Sequence, residues 1–228
     1  MSVNGPSKII SDGLALYLDA SNKKSYGGSG TSWYDLSSSK LVAVAGGTVG
    51  PTWSNSFSGI WNFTGGVVAT NYSRFDIANI PSFSALSAFA WFRTSNTTDS
   101  KTIIRMDNSD FELSINGSNS SFIAAGTNWN DINVQPTLNG TDGKWHEMGL
   151  TFNGTVLNAY FDGAYVATNT RGSSTTTAAG TLRIGTRDDA YNQHYVGDIA
   201  AVRIYNRVLN GDEILKNYNY IRRKYLIL

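Results

Sequence analysis

The stretch Val156-Leu-Asn-Ala-Tyr-Phe161, Asp162-Gly163, Ala164-Tyr-Val-Ala167 decides the fold class of this 228-residue chain. Two alternating runs are joined there by an Asp-Gly pair, a strong signal for a two-residue β-hairpin because both turn residues must adopt positive φ. Downstream, Gly197-Asp-Ile-Ala-Ala-Val-Arg-Ile-Tyr205 predicts a further strand, and residues 206–215 lead from it into a helix. This order predicts an all-β sandwich that ends in one helix.

Upstream segments continue the strand pattern. Leu14-Ala-Leu-Tyr-Leu18 alternates, and residues 85–93 are apolar on both faces, which predicts a strand covered on both sides in a two-layer fold. Residues 145–152 also alternate. No linker, compositional break or internal repeat divides the chain. We therefore interpret residues 1–228 as a single β-sandwich domain, with residues 1–10 as an N-terminal extension.

The C-terminal helix is the best-specified element, and we expect it over residues 210–224. Asn210 suits the N-cap and Glu213 completes a capping box, with Leu209 and Ile214 at the two hydrophobic staple positions. Its apolar face is predicted to contain Ile214, Leu215, Tyr218 and Ile221. Because one helix cannot cover a whole sheet, we expect it to pack at the edge of the sandwich.

Composition excludes several classes of function. Charged residues make up 15% of the chain and the net charge is +1, so a nucleic-acid partner is not expected. Cysteine is absent, which excludes disulfides and thiolate metal sites. Residues 1–8 do not have the pattern of a signal peptide, and no apolar run approaches the ~20 residues that span a bilayer. We expect synthesis in the cytoplasm and no membrane partner.

A series of short motifs along the chain carries a family resemblance. In order they are Asp12-Gly-Leu-Ala-Leu-Tyr-Leu-Asp-Ala20, Trp33-Tyr-Asp-Leu36, Phe89-Ala-Trp-Phe92, Asp142-Gly-Lys-Trp-His146, Tyr160-Phe-Asp-Gly163, Leu182-Arg-Ile-Gly185 and Gly197-Asp-Ile-Ala-Ala-Val-Arg-Ile-Tyr-Asn206. Together they resemble laminin-G-like domains of the concanavalin A-like lectin/glucanase superfamily. The opening Ser25-Tyr-Gly-Gly-Ser-Gly-Thr-Ser-Trp33 is similar to versions found in tailed-phage virion proteins. The resemblance implies a two-sheet antiparallel jelly-roll sandwich, with ligand or partner contacts on its concave face and rim loops.

The acidic residues do not suit catalysis. Glycosidases of this superfamily need two carboxylates that face each other across the sugar bond, about 5–5.5 Å apart for a retaining enzyme. The chain has three glutamates, of which Glu213 serves the helix cap, while Glu112 and Glu147 stand alone on their strands. The two histidines, His146 and His194, accompany no nucleophile motif. We predict that the protein is not an enzyme.

A calcium site is the better hypothesis for the acidic side chains. The resemblance implies calcium binding, which uses carboxylate and carbonyl oxygens. We assign Asp19, after the first strand, and Asp198, at the start of the last one, as candidate ligands because the two strands lie close together in related sandwiches. The alternative is that Asp198 only caps a turn or accepts bonds from backbone amides.

Aromatic side chains in two loops are candidates for a glycan platform. Trp91 and Trp145 match packing positions of the family, whereas Trp129 is flanked only by polar residues. The predicted ligand-binding residues are Trp129, Asp131, Asp189, Tyr191 and His194. The alternative is that these rim aromatics pack under long loops or contact another protein.

Two functional interpretations remain open. The first is a non-enzymatic virion protein, either a phage capsid decoration protein or a head-fibre module, made in the host cytoplasm and bound to other virion proteins or to copies of itself. The second is a carbohydrate-binding lectin or adhesin on a tail fibre or a cell surface, with glycans as partners. The apolar end, Tyr225-Leu-Ile-Leu228, is expected to be buried either against a partner subunit or in the domain's own core.

Overall fold

The computed structural model describes residues 8–65, 72–98, 100–107, 111–116, 120–126, 132–187 and 193–226. These residues form 16 strands, a 3₁₀ turn and one α-helix. The strands are β1 (Leu14–Asp19), β2 (Ser32–Tyr34), β3 (Val42–Gly47), β4 (Thr52–Ser54), β5 (Ile60–Phe63), β6 (Ser73–Ile80), β7 (Leu86–Arg93), β8 (Ser100–Met106), β9 (Phe111–Asn116), β10 (Ser120–Ala125), β11 (Ile132–Val134), β12 (Trp145–Phe152), β13 (Val156–Phe161), β14 (Ala164–Thr170), β15 (Gly180–Ile184) and β16 (Gly197–Tyr205). The 3₁₀ turn is Ser56–Ser58 and the helix α1 is Gly211–Leu226.

The strands form two eight-stranded antiparallel sheets. Sheet A has the order β14-β13-β12-β7-β16-β5-β4, with β1 also paired to β16. Sheet B has the order β11-β10-β9-β8-β15-β6-β3-β2. Each sheet combines hairpins of consecutive strands with pairs from distant parts of the sequence, such as β7 with β16, as expected for a jelly roll. The predicted all-β sandwich with one C-terminal helix is confirmed.

The main core lies between the two sheets and follows from strand alternation. Leu86, Ala88, Ala90 and Phe92 of β7 point into it, and Phe75 of β6 approaches from the opposite sheet. The intervening β7 residues are buried as well, because a second apolar layer covers the other face of sheet A. The prediction that residues 85–93 form a strand covered on both sides is confirmed.

The Asp-Gly hairpin forms as predicted. Asp162 and Gly163 have φ values of 51° and 78°, and the flanking residues Phe161 and Ala164 are paired. Glycine is needed here for a second reason, because a Cβ atom on Gly163 would lie 2.9 Å from the ring of Tyr218 on α1. The tip of this hairpin therefore also docks the helix.

Helix α1 begins with the predicted capping box. The Glu213 amide donates to Oδ1 of Asn210 at 3.0 Å, and the Asn210 amide donates to Oε2 of Glu213 at 3.0 Å. Leu209 and Ile214 share one apolar cluster, which confirms the staple. Leu215 is different: it is 48% exposed, so its assignment to the apolar face is wrong.

The position of the helix corrects a second expectation. It does not pack at the edge of the sandwich but covers the outer face of sheet A, where Ile221 and Tyr225 pack with Trp91 and Trp145. The outer faces of β7, β12 and β16 are apolar enough to hold a helix, so a third layer forms there. Among the described residues, no helix is long and apolar enough to cross a membrane.

Candidate ligand-binding face

The two sheets differ in how their outer faces are covered. Helix α1 and the segment before β1, with Ile9 and Ile10, close the outer face of sheet A. The outer face of sheet B carries exposed apolar side chains at one end, Tyr34, Val42 and Val44, and polar side chains over its middle. Sheet B therefore provides the sheet surface on which a ligand can lie.

A continuous row of side chains crosses the outer face of sheet B, and we call it the cross-strand row. Each member is directly opposite the next on a neighbouring strand, and cross-strand partners share a face. The row contains Ser32, Val44, Asp76, Arg183, Arg105, Glu112 and Ala124. At its centre, Arg183 and Arg105 are neighbours. Asp76 lies on the far side of Arg183, and Glu112 lies on the far side of Arg105.

Near the centre of the row, Asp76 and Arg183 belong to a half-buried ionic network that extends over β6, β15 and the residue after β8. Arg74 Nε donates to Asp76 Oδ2 at 2.8 Å, and Arg183 Nη1 lies 2.6 Å from Asp107 Oδ1. Arg183 Nε is 3.6 Å from Asp76 Oδ1, which joins the two pairs. These side chains are 18–31% exposed. They offer both donors and acceptors, the combination that sugar hydroxyls require.

The other end of the row is closed. Glu112 is 2% exposed, its Oε1 accepts bonds from the hydroxyls of Ser114 at 2.5 Å and Thr102 at 3.2 Å, and its Oε2 lies 3.5 Å from Arg105 Nε. Burial shields this carboxylate from solvent, and its neighbours are two hydroxyls and an arginine of the chain itself. Glu112 thus supports the sheet rather than a substrate.

The other two glutamates are also engaged. Glu147 is buried beneath α1 in an ion pair with Arg203, and burial raises the pKa of Glu147 to about 7, although the positive charge of Arg203 opposes the shift. Glu213 holds the helix cap and pairs with Arg207 at 2.7 Å. All three glutamates lie in the described part of the chain, and none faces a second carboxylate across an open cleft.

The two predicted calcium ligands lie on paired strands but do not converge. Asp19 is opposite Ala201, three residues from Asp198, which corresponds to about 10 Å along a strand. Each carboxylate is matched by a cation of the chain itself: Lys224 donates to Asp19, and Arg93 Nε donates to Asp198 at 2.9 Å. Within the described ranges, no group of three or more His, Cys, Asp or Glu residues has the geometry for a metal ion. Calcium binding stays a prediction.

The predicted glycan platform falls largely on residues that the structure does not describe. Trp129, Asp131, Asp189 and Tyr191 lie outside the described ranges. His194 is described and is fully buried, with its ring stacked on Tyr72 at 4.2 Å between centroids and its Nδ1 2.9 Å from the Thr186 hydroxyl. The prediction that His194 contacts a ligand is wrong, because its ring is packed on Tyr72 in the interior.

A second histidine site links two family motifs. His146 Nδ1 lies 2.8 Å from Asp162 Oδ2, and its Nε2 lies 3.0 Å from Asp142 Oδ1. Burial alone would lower the pKa of His146, but the two carboxylates raise it above its ordinary value. Sequence analysis missed the pairing of His146 with these two acids. Asp142 belongs to the Asp142-Gly-Lys-Trp-His146 motif and Asp162 to the Tyr160-Phe-Asp-Gly163 motif, and these motifs are the signal that could have identified them.

Sequence analysis also missed the cross-strand row. Its four charged members are single polar residues between apolar neighbours on separate strands, for example Arg183 between Leu182 and Ile184. The alternation of polar and apolar residues along each strand shows that one face of that strand lies outside the core. Which strands are neighbours, and in which register, is not encoded locally, so the row is not visible before the sheet order is known.

A profile of the family described as the concanavalin A-like lectin/glucanases superfamily matches residues 65–215, well over half of the 228 residues. The chain therefore belongs to this superfamily. Comparison with curated proteins gives no match.

Similar solved structures are binding domains of toxins. The binding domain of botulinum neurotoxin DC in complex with SialylT has a TM-score of 0.69 at 15% identity, over 92% of this chain and 52% of that chain. The same domain in complex with rat synaptotagmin II gives 0.66 at 16% identity, over 92% and 52%. The binding domain of Paraclostridial Mosquitocidal Protein 1 gives 0.67 at 15% identity, over 92% and 52%. The chain spans about half the length of these structures, and at this identity the likeness shows a shared fold.

Proposed function

We propose that this protein is a non-catalytic carbohydrate-binding module that uses the outer face of sheet B. The observation that carries the proposal is the centre of the cross-strand row, where Asp76 and Arg183 are half-buried charged groups on the sheet face that the helix leaves uncovered. Fixed donors and acceptors on a flat sheet bind hydroxyls without the entropy cost of ordering long side chains at the moment of binding. The toxin binding domains of similar fold, one of them in complex with SialylT, support a surface-binding role.

The burial and the pairing of Glu112 and Glu147 support a non-catalytic role. A retaining or inverting glycosidase needs one carboxyl group as acid and a second as base or nucleophile, both facing the sugar. Here Glu112 is enclosed by hydroxyls and Arg105, and Glu147 lies under α1 on the opposite side of the sandwich. We therefore expect binding without turnover.

A glycan array with the full chain tests this function, using Arg183→Gln as the probe variant. The matched control is Arg207→Gln, because Arg207 is similarly exposed (28% against 25%) and also contacts two carboxylates, but lies beside the helix. We expect wild type and the Arg207 variant to bind the same glycans, and the Arg183 variant to lose at least tenfold in affinity. Absence of glycan binding by wild-type protein, or release of shorter sugars from a polysaccharide, would refute the proposal.

A virion location is the second candidate, favoured by the resemblance of residues 25–33 to the opening of tailed-phage virion proteins. In this interpretation the protein decorates a capsid or a fibre, and its partners are virion proteins or copies of itself. Tyr26 and Trp33 of this segment are buried against Trp61, so the motif acts in the core and leaves other surfaces free for partners. Cosedimentation with assembled particles tests it, and failure to bind any particle would remove it.

A further inference from the structure

An open pocket of about 390 Å³ lies where sheet B ends at the edge strand β2. Its lining residues are Lys24, Tyr34, Asp35, Leu36, Lys40 and Leu41. The volume falls in the range of small-molecule sites, and the lining combines an aromatic ring, aliphatic side chains and two cations. The pocket adjoins the apolar end of the sheet B face but contains no member of the cross-strand row.

The walls of the pocket are held by a buried carboxylate. Asp35 Oδ1 accepts bonds from the amides of Tyr17 and Ser37, both at 2.8 Å. Asp35 Oδ2 accepts from the Ser37 hydroxyl at 2.6 Å and from the Leu41 amide at 3.2 Å. Asp35 is 5% exposed, so its carboxylate interacts with these donors and not with solvent. The loop from residue 35 to residue 41 therefore has its shape before any ligand arrives.

The aromatic wall is fixed as well. The Tyr34 amide donates to the Ser25 carbonyl at 2.7 Å, and the Ser25 hydroxyl donates to the Tyr34 carbonyl at 2.6 Å. The Tyr34 side chain is nevertheless 51% exposed, beside the exposed Val42 opposite it on β3. A ring held on a rigid strand with one open face presents a flat apolar surface to the C–H face of a sugar.

The two lysines supply positive charge with no partner in the described part of the chain. Lys24 and Lys40 are exposed, and neither forms an ion pair there. Lys40 has a φ of 53°, in the left-handed region that glycine and asparagine tolerate and lysine rarely adopts.

The geometry points to a subsite for an acidic saccharide: Tyr34 stacks on the sugar ring, and Lys24 and Lys40 bind a carboxylate or sulfate group that it carries. This inference rests on the proposed carbohydrate-binding function and specifies the ligand class. An ammonium group binds an anionic oxygen as a point charge without a fixed orientation, so both acid groups fit the same pair of lysines. Because the lysines are exposed, added salt weakens the interaction.

The test is titration calorimetry on the full chain with three oligosaccharides of the same length: a neutral one, its uronate counterpart and a sulfated one. We expect either or both of the acidic ligands to bind at least tenfold more tightly than the neutral one. Lys40→Gln and Tyr34→Ala should each remove at least tenfold of this affinity. Lys216→Gln is the matched control, because it removes the same charge from the exposed side of α1 on the opposite face of the sandwich.

Lys40→Gly separates binding from folding. Glycine adopts positive φ without strain, so this variant should melt at the same temperature as wild type or higher, while its affinity for the acidic ligand falls as in Lys40→Gln. Equal affinity for neutral and acidic ligands, or unchanged affinity in the lysine variants, would overturn the acidic subsite and leave the carbohydrate-binding function standing. If none of the three ligands and no array glycan bound, both would fall.

Discussion

Lys224, near the end of the C-terminal helix, donates its Nζ proton to Oδ2 of Asp19 at the end of the first strand. Asp19 is fully buried and also accepts bonds from the hydroxyls of Tyr17 at 2.6 Å and Tyr225 at 2.9 Å. This carboxylate thus links the end of β1 to the last part of α1. Burial alone would raise the pKa of Asp19, but the Lys224 ammonium and these hydrogen bonds hold it below its ordinary value of 3.8.

Removing the cation should destabilise the fold. Lys224→Met leaves the Asp19 carboxylate buried without its counter-charge, and we expect a loss of about 2–3 kcal/mol, below the usual figure for a buried pair because Lys224 is 26% exposed. Urea unfolding measures the change, with Lys216→Met as control at less than ~0.5 kcal/mol. Equal stabilities for the two variants would contradict the assignment.

The same carboxylate gives an acid dependence. Since the folded pKa of Asp19 is lowered, its contribution to stability is fully present above 3.8 and is lost as the pH falls through the lower folded value. In Asp19→Asn this part of the acid transition should be missing. Melting curves between pH 2 and pH 6 show the difference, and superimposable pH profiles would be inconsistent with the ion pair.

The calcium hypothesis now has a specific requirement. An ion at Asp19 must displace Lys224, and one at Asp198 must displace Arg93, whose guanidinium also lies 4.4 Å from the centre of the Phe57 ring. If calcium binds at Asp19, Lys224→Met should bind it more tightly than wild type because the competing cation is gone. Calorimetric titration of chelator-treated protein measures this; absence of heat and of any melting shift in both proteins would remove the hypothesis.

His146 should make the free energy of unfolding decrease as the pH rises. Its folded pKa is raised above 6.5, so the stabilisation from its two carboxylate partners is complete below 6.5 and is lost as the pH rises through the folded value. His146→Gln should abolish this loss. The raised pKa of Glu147, about 7, also lowers stability as the pH rises, but between 4.5 and about 7. Unfolding of wild type and of His146→Gln measured from pH 5 to pH 9 isolates the His146 contribution, and superimposable pH profiles for the two proteins would exclude His146 as a source of the loss.

Helix docking can be tested with two adjacent residues. Ile214 is fully buried against Phe89, Tyr205 and Leu209, whereas Leu215 is 48% exposed. Ile214→Ala should cost about 2–5 kcal/mol through lost burial and a residual cavity. Leu215→Ala should change the free energy of unfolding by less than ~0.5 kcal/mol. A loss below ~0.5 kcal/mol at Ile214 would mean that α1 is not held on sheet A.

Features set by neighbouring residues were predictable. The Asp162-Gly163 turn, the Asn210–Glu213 capping box and the two-sided burial of β7 each depend on a few adjacent side chains, and each forms as expected.

Features set by residues distant in the sequence were not predictable. The placement of α1 on sheet A depends on the shape of a surface assembled from β1, β7, β12 and β16, and the burial of His194 depends on Tyr72 reaching it from a segment far away in sequence. Alternation tells which side chains of a strand share a face, but not which strand lies next to it.

The sequence by itself determined the Asp162-Gly163 hairpin, the strand over residues 86–93, the cap of the helix and the two-sheet class. Only the tertiary structure decided that Arg105 and Arg183 stand side by side with their carboxylates, and that Tyr34, Lys24 and Lys40 line one pocket at the sheet edge. The physical reason is that local preferences act over a few residues, whereas a binding face is assembled by strand order and register, which depend on the packing of the whole core.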